Sequence, residues 1–469
     1  MRLWLTITLL LWIAAPSVAA GESSGFVPLF NGRDLDGWAV AGNPDGFKVV
    51  NGRIHSDGGK GGNWIHTVKQ YGNFVLRMEW MLSKVGNSGV FVRNGVAGGG
   101  FEVQLLAPWT PHRDDLHCTG SIYGHVPANP RPDETPLRWR KVEVTAEYKH
   151  ITVKIDGVKC CEADYDQVPS MKDLALVGYV GMQDSHTGEG EWVEFRNIEI
   201  EDLDQDLTFV CRGLSATDPA VRRLAFDAAV NLGPLMTAPL LDLIERGEAA
   251  QRHVAEMALG RVVANASTPG AEAQAADTRQ ALLARLASQG HNAAPDRVCA
   301  ARMIGLIGPG DDRTVSVLEK ALAEGGPVSA AALETMQRIP GRAITAALIR
   351  AVHRASAAQQ PPLLLALGAR KDEGALALLT NMARSGAENI QLAAVRALGM
   401  LGSAKGISVL REVAVGAGER VRQEVADALI VILDSRGLDD EARLEALYAA
   451  RELAVTDAQK RAVGVAGQP

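Results

Sequence analysis

Cysteine is scarce, with only Cys118, Cys160, Cys161, Cys211 and Cys299 in 469 residues. An odd count with one adjacent pair is not a disulfide framework, and strand alternation sends Cys160 and Cys161 to opposite faces. The absence of any Cys-x-x-Cys removes the usual structural zinc site. Basic charge is not in excess: the net charge of -7 gives no reason to expect nucleic acid or an anionic membrane as partner. Beyond the N-terminal leader no apolar run reaches the ~18 residues that span a bilayer, so no span is expected once the leader is removed. Aromatic residues nearly vanish from the second half, where Phe209, Phe226 and Tyr448 are the only ones after Leu203.

What is present begins with that leader. Arg2 precedes the apolar run Leu3 to Ala15, and Pro16 to Ala20 supply small residues for cleavage. This reads as a signal peptide over residues 1–20 and predicts a secreted or periplasmic protein. The remaining length exceeds what one hydrophobic core sustains, roughly 250–300 residues, so two domains are expected. All eight Trp lie at or before Trp192. The compositional break near Asp202 to Asp206 sets the expected domains at 24–203 and 207–460.

The first domain reads as β. Phe74, Leu76, Met78 and Trp80 alternate with Val75, Arg77 and Glu79, as in a half-buried strand. Val142, Val144 and Ala146 alternate with Lys141, Glu143, Thr145 and Glu147, and Asp156-Gly157 is a hairpin signal. The closing strand Glu191 to Glu201 changes parity between Phe195 and Ile198, which predicts a bulge at Arg196-Asn197. Many short strands with glycine-rich turns and no helix between them predict an antiparallel β-sandwich or barrel. Three segments form its chemical centre: Gly86-Asn-Ser-Gly-Val-Phe-Val-Arg93, Phe101-Glu-Val-Gln-Leu-Leu106 and Gly120-Ser-Ile-Tyr-Gly124, each read as a strand. Alternation puts Phe101, Val103 and Leu105 on one face and Glu102 and Gln104 on the other, beside Arg93 and Tyr123.

The second domain reads as α and repetitive. In Asp218 to Gly233, Val221, Leu224, Ala225, Ala228 and Leu232 make one helical stripe between an Asp-Pro start and a Gly-Pro stop. Similar units recur at His253 to Gly260, Asp296 to Gly308, Val328 to Pro340, Leu363 to Gly368, Ile390 to Gly402 and Val421 to Leu433. Val-Arg near the helix start and Leu-Gly at its end resemble HEAT repeats, which implies an α-solenoid with a binding face for a protein or polysaccharide. Ala264 to Ala276 breaks the period and is expected to be a loop. Arg222, Arg302, Arg396 and Arg422 recur at one point of the repeat, where they would steady neighbouring turns.

The first domain also carries a family resemblance. Gly25-Phe-Val-Pro-Leu-Phe-Asn-Gly-Arg-Asp-Leu-Asp-Gly-Trp38, Asn63-Trp64-Ile65, Tyr71-Gly-Asn-Phe74, Asn87-Ser-Gly89 with Arg93, Glu102-Val-Gln104, Gly120 to Gly124, Gly181-Met-Gln183 with His186, and Phe195-Arg-Asn-Ile198 fall in the order of the 3-keto-disaccharide hydrolase domain family. The resemblance implies a concanavalin A-like jelly roll with a carbohydrate-type ligand on one sheet. It further implies cleavage of disaccharides oxidised at the third carbon of the sugar. Such a ketone acidifies the C2 proton, so the group on C1 can leave by elimination, given a base, an acid for the leaving oxygen and a group that polarises the ketone. On this footing Glu102 and His186 are the proton-transfer candidates, and Arg93, Gln104, Tyr123, Trp64 and Gln183 the substrate-binding ones.

Retaining glucanases of similar fold need two carboxylates, as Glu-x-Asp-x-x-Glu. Here the stretch is Glu102-Val-Gln104-Leu-Leu-Ala107, which excludes that double displacement. The related domains often carry Asp at the place of Ala107 and Asn at that of Arg140. A non-catalytic carbohydrate-binding or scaffold protein is therefore the alternative, and Glu102 paired with Arg93 in a structural ion pair is the alternative for the site. His112, Asp114, Asp115 and His117 could ligate a divalent metal. No other cofactor is expected.

Overall fold

The computed structural model describes residues 25–57, 63–110, 113–185, 188–289, 294–308, 310–435 and 437–464. The expected leader and two site candidates, His112 and His186, lie outside the described residues. The chain forms two compact units that divide between Asp206 and Leu207.

The first unit is built from strands β1 (Phe26–Pro28), β2 (Trp38–Ala41), β3 (Lys48–Val50), β4 (Arg53–Asp57), β5 (Trp64–Tyr71) and β6 (Phe74–Leu82). There follow β7 (Asn87–Asn94), β8 (Phe101–Leu106), β9 (Arg140–Glu147), β10 (His150–Ile155), β11 (Val158–Asp164), β12 (Gly178–Gln183) and β13 (Trp192–Asp202). One sheet has the order β11-β10-β9-β6-β13-β4-β3, with β1 added along β13, and the other the order β2-β5-β12-β7-β8. Neighbours in both are antiparallel. The unit is the expected β-sandwich.

Alternation explains what lies between the sheets. Leu76, Met78 and Trp80 of β6 share one core with Val90 and Val92 of β7, Val103 and Leu105 of β8, and Val180 and Met182 of β12. Burying each such side chain contributes roughly 1.5–3 kcal/mol, and a one-residue slip in either sheet would turn the whole row to solvent. The Asp156-Gly157 hairpin turns with φ of 49° and 82°, a conformation that favours these two residue types.

Three bulges re-aim side chains. The expected one in β13 is present as a register shift between Arg196 and Glu199, with Asn197 at φ 50°. A second falsifies the simple alternation at the cysteine pair. Val153 opposes Cys161 and Lys154 opposes Lys159, so Cys160 is the extra residue and both thiols are buried rather than on opposite faces. Burial pushes the Cys160 thiol up to about 12, which leaves it unreactive. The third bulge, at Arg93, belongs to the site. Gly120 to Gly124 also departs from expectation: it is turn-rich chain that touches β8 through the isolated bridge Val103↔Ile122, not a strand.

The second unit is a stack of helical hairpins. Seven run from Leu207–Leu214 with Pro219–Leu232 to Ala404–Ala414 with Glu419–Leu433, and Asp440–Leu453 and Asp457–Ala462 close the described stack. Helix starts are capped as expected: Asp218 accepts from the amides of Ala220 and Val221. The expected loop at Ala264 to Ala276 is shorter than read, because Ala249–Ala266 and Glu272–Ala287 are both helical. Their alanine-rich surfaces hide the period. The segment Pro219–Arg246 is long and apolar enough to cross a membrane by length and composition, yet it comprises two helices whose Ala225, Leu240, Leu241 and Ile244 are buried in the stack.

Arginines tie successive turns, mostly by satisfying carbonyls that helix ends leave without partners. Arg222 donates to the carbonyls of Ala216 and Thr217 at 2.7 and 2.6 Å, and Arg370 to those of Ile339 and Gly341 at 2.5 and 2.8 Å. Arg396 instead grips both carboxylate oxygens of Glu424 at 2.7 Å.

Candidate functional site

The outer face of the five-stranded sheet gathers most of the expected site. Phe91 of β7 pairs with Glu102 of β8, Gly89 with Gln104, Gly181 of β12 with both Phe91 and His66 of β5, and Gln183 with Trp64. The bridge Val103↔Ile122 sets Tyr123 against Glu102, whose carbonyl accepts from the Tyr123 amide at 2.9 Å. Glu102, Gln104, Tyr123, Trp64 and Gln183 are thus brought to one face by register alone.

Two glycines make room on it. A β-carbon on Gly181 would lie 2.5 Å from the Ile65 carbonyl oxygen and 2.7 Å from the Trp64 ring, and one on Gly89 would overlap the Glu102 carboxyl. The Trp64 ring and the Glu102 side chain therefore lie across the neighbouring strands instead of standing off the sheet. Trp64 meets Phe91 edge-on with centroids 5.3 Å apart, and His66 at 4.6 Å; His66 in turn meets Tyr179 at 4.6 Å.

Glu102 is the unusual group. Its Oε1 is sealed from solvent with no hydrogen-bond partner among the described residues. Burial pushes its carboxyl up to about 8, so the neutral acid predominates at pH 7. Gln183 Oε1 on the same face is likewise sealed and without a partner among the described residues. Gln104 is less open than expected: it is buried, and its amide nitrogen donates to Asn87 Oδ1 at 2.8 Å. Beside the site Tyr123 stacks edge-on with His117 at 4.4 Å, and His117 Nδ1 lies 2.7 Å from Asp114 Oδ1.

Arg93 is a correction. Strict alternation would set it beside Phe91, but β12 places Tyr179 opposite Asn94 and Gly181 opposite Phe91, and Arg93 takes φ 51° in the extra position. The bulge turns its side chain inward. It is fully buried, donating from Nε to the Gly72 carbonyl at 2.7 Å and from Nη1 to the Tyr148 carbonyl at 2.5 Å. Arg93 neither binds at the outer face nor pairs with Glu102, which removes the structural ion-pair reading of that carboxylate.

Two other sequence features resolve. Arg140 belongs to β9 in the other sheet, where it pairs with Asp133 and Asp156, so its departure from related domains lies outside this face. Ala107, just past β8, is buried. In the Asp114–His117 loop, Asp115 pairs with Arg131 at 2.8 Å, and no group of three or more metal-ligating side chains occurs among the described residues. A depression of about 380 Å³ on the other sheet is lined by Arg77, Glu79, Lys141 and Glu143, and Arg77 and Glu143 already pair at 2.7 Å. Sequence reasoning missed His66, Phe91 and Tyr179. The signal for His66 was available, since it stands two residues after Trp64 on the same strand.

Residues 25–201 match the profile of the 3-keto-alpha-glucoside-1,2-lyase-like domain. The lyase-like domain spans nearly the whole described β unit, and residues 345–430 match HEAT repeats. A 3-keto-disaccharide hydrolase of Bacteroides thetaiotaomicron is 25% identical over 238 residues, covering 39% of this chain and 80% of that protein. Among solved structures, a candidate glycosyl hydrolase from Parabacteroides distasonis is 24% identical, covering 38% of this chain and 94% of that one, with a TM-score of 0.34. A carbohydrate-binding module of Bacillus subtilis is 14% identical, covers 34% and 93% of the two chains, and has a TM-score of 0.26. The domain match and the Bacteroides relative support a glycoside hydrolase-like function for residues 25–201.

Proposed function

We propose that the lyase-like domain cleaves the glycosidic bond of 3-keto disaccharides or related oxidised glycosides. The observation that carries this reading is Glu102, a carboxyl kept neutral near pH 7 on a sheet face bearing Trp64, Phe91 and Gln183. A neutral acid there can protonate the glycosidic oxygen as the C1–O bond breaks. With a ketone at C3, loss of the C2 proton and departure of the C1 oxygen leave a C1=C2 double bond. Addition of water across it gives the hydrolysis product, so a lyase and a hydrolase share the first step. On this reading Tyr123 and the Gln183 amide would hold sugar oxygens, and Trp64 would pack against a ring. No second carboxylate is needed, in keeping with Gln104 and Ala107 where a glucanase would carry acids.

The reading includes export to the periplasm or medium, and a solenoid that serves as a docking arm for a protein partner. No step invokes a metal.

The test is incubation of the purified full chain with a 3-keto disaccharide, following release of the two sugars. Glu102→Gln should lower turnover about 10²-fold or more. Release at the wild-type rate by that variant would refute the role of Glu102. Binding without release by the wild type would assign the sheet to non-catalytic carbohydrate recognition instead.

A further inference from the structure

We propose that His66 is the base that takes the C2 proton, working across the sheet from Glu102; this rests on the elimination reading above. His66 belongs to the same cross-strand row as the acid: His66 pairs with Gly181, Gly181 with Phe91, and Phe91 with Glu102. Three strand spacings separate the two backbones, roughly 14 Å. The Phe91 and Trp64 rings lie along the row between them, so a sugar bridging the two groups would rest on those rings. A glycine, Gly181, lies between them, with the Trp64 ring across it.

The ring is also set in one tautomer and one orientation. His66 Nδ1 lies 2.9 Å from the Thr67 carbonyl oxygen. A carbonyl can only accept, so Nδ1 carries the hydrogen and the neutral imidazole keeps its lone pair on Nε2. No hydrogen bond occupies Nε2 among the described residues. Trp64 and Tyr179, each with its centroid 4.6 Å away, hold the ring from either side. His66 is buried, 8% exposed, so a ligand would reach it only from the outer face of the sheet.

The proton and electron bookkeeping closes. Nε2 takes the C2 proton, the C–H pair becomes the C1=C2 bond by way of the C3 enolate, and the C1–O bond breaks. The departing oxygen takes the Glu102 proton. The products are a free sugar and an unsaturated 3-keto sugar, with imidazolium and carboxylate left to exchange their proton through solvent. No oxidant, reductant or water is consumed.

The experiment follows a 3-keto disaccharide in D2O with the full chain, reading sugar release and deuterium uptake at C2 by NMR. In His66→Gln both should fall about 10²-fold or more, while affinity for the sugar changes only a few-fold. His66→Phe, which keeps the stacking but has no base, should behave the same way. Wild-type rates in either variant would overturn the proposal and leave the elimination reading standing. A wild-type chain that neither exchanges C2 nor releases sugar would refute that reading itself. If neither variant folds, His66 belongs to packing and the proposal is overturned.

Discussion

Replacing Glu102 by Gln tests the protonation of the acid separately from its role in turnover. In the folded chain burial holds the carboxyl at about 8, against 4.5 for a free glutamate. The folded state therefore binds more protons than the unfolded state between those values, so this group makes stability fall as pH rises from about 4.5 to about 8. Below that window both states are protonated, and above it both are ionised, with the folded chain bearing the full cost. At 1.36 kcal/mol per pKa unit the ceiling is on the order of 5 kcal/mol, and partial solvent access reduces the expected effect to ~2 kcal/mol. The Gln side chain matches the neutral acid in shape and does not titrate. Glu102→Gln should therefore unfold like the wild type near pH 5 and be the more stable of the two by ~2 kcal/mol near pH 9. Urea unfolding of the β unit, followed by tryptophan fluorescence at pH 5, 7 and 9, reads this directly, since all the Trp residues lie in the first half. Wild-type turnover should fall above about pH 8 as the proton donor is lost. Equal pH slopes in the two proteins would refute the buried-acid argument, whatever happens to activity.

Gly89→Ala would press a methyl against the Glu102 carboxyl, the free end of a flexible side chain, so it should cost little stability yet reduce turnover about 10-fold or more. Wild-type kinetics in that variant would show that the lean of Glu102 over Gly89 is irrelevant. Arg93→Met should destabilise the β unit by ~3 kcal/mol in denaturant melts, because the carbonyls of Gly72 and Tyr148 lose their donor. The KM of its folded fraction should stay at the wild-type value, whereas a large rise would return Arg93 to the substrate. Arg370→Ala removes the donor to the Ile339 and Gly341 carbonyls and should lower solenoid stability by ~2 kcal/mol, measured by helical circular dichroism.

Much of this architecture was legible because period-two and helical patterns are local. Phe74, Leu76, Met78 and Trp80 announce β6, and the Asp218-Pro219 start and Gly233-Pro234 stop announce the second solenoid helix. The parity change at Arg196-Asn197 announced a bulge because apolar residues on both sides recorded the shift. The bulges at Arg93 and Cys160 left no such record. Arg93 is a charged residue that parity assigns to the outer face, and only the register of β12 shows that an extra residue turns it inward. Cys160 and Cys161 are both apolar enough to be buried, so their sequence does not betray which of them is unpaired. His66 was passed over for another reason: its place two residues after Trp64 puts it on the same face, but its partners Gly181 and Tyr179 come from β12, far away in sequence.

The same contrast governs what the outer face can do. If β7 ran without its bulge, Arg93 would stand two residues beyond Phe91 on the face of Glu102. A guanidinium beside that carboxyl would favour its ionised form and abolish the neutral acid near pH 7. By turning Arg93 into the core, where backbone carbonyls receive it, the bulge leaves Glu102 among aromatic rings and amides without a cation among the expected site residues described. The correction to Arg93 and the raised pKa of Glu102 are thus one structural fact seen from two sides.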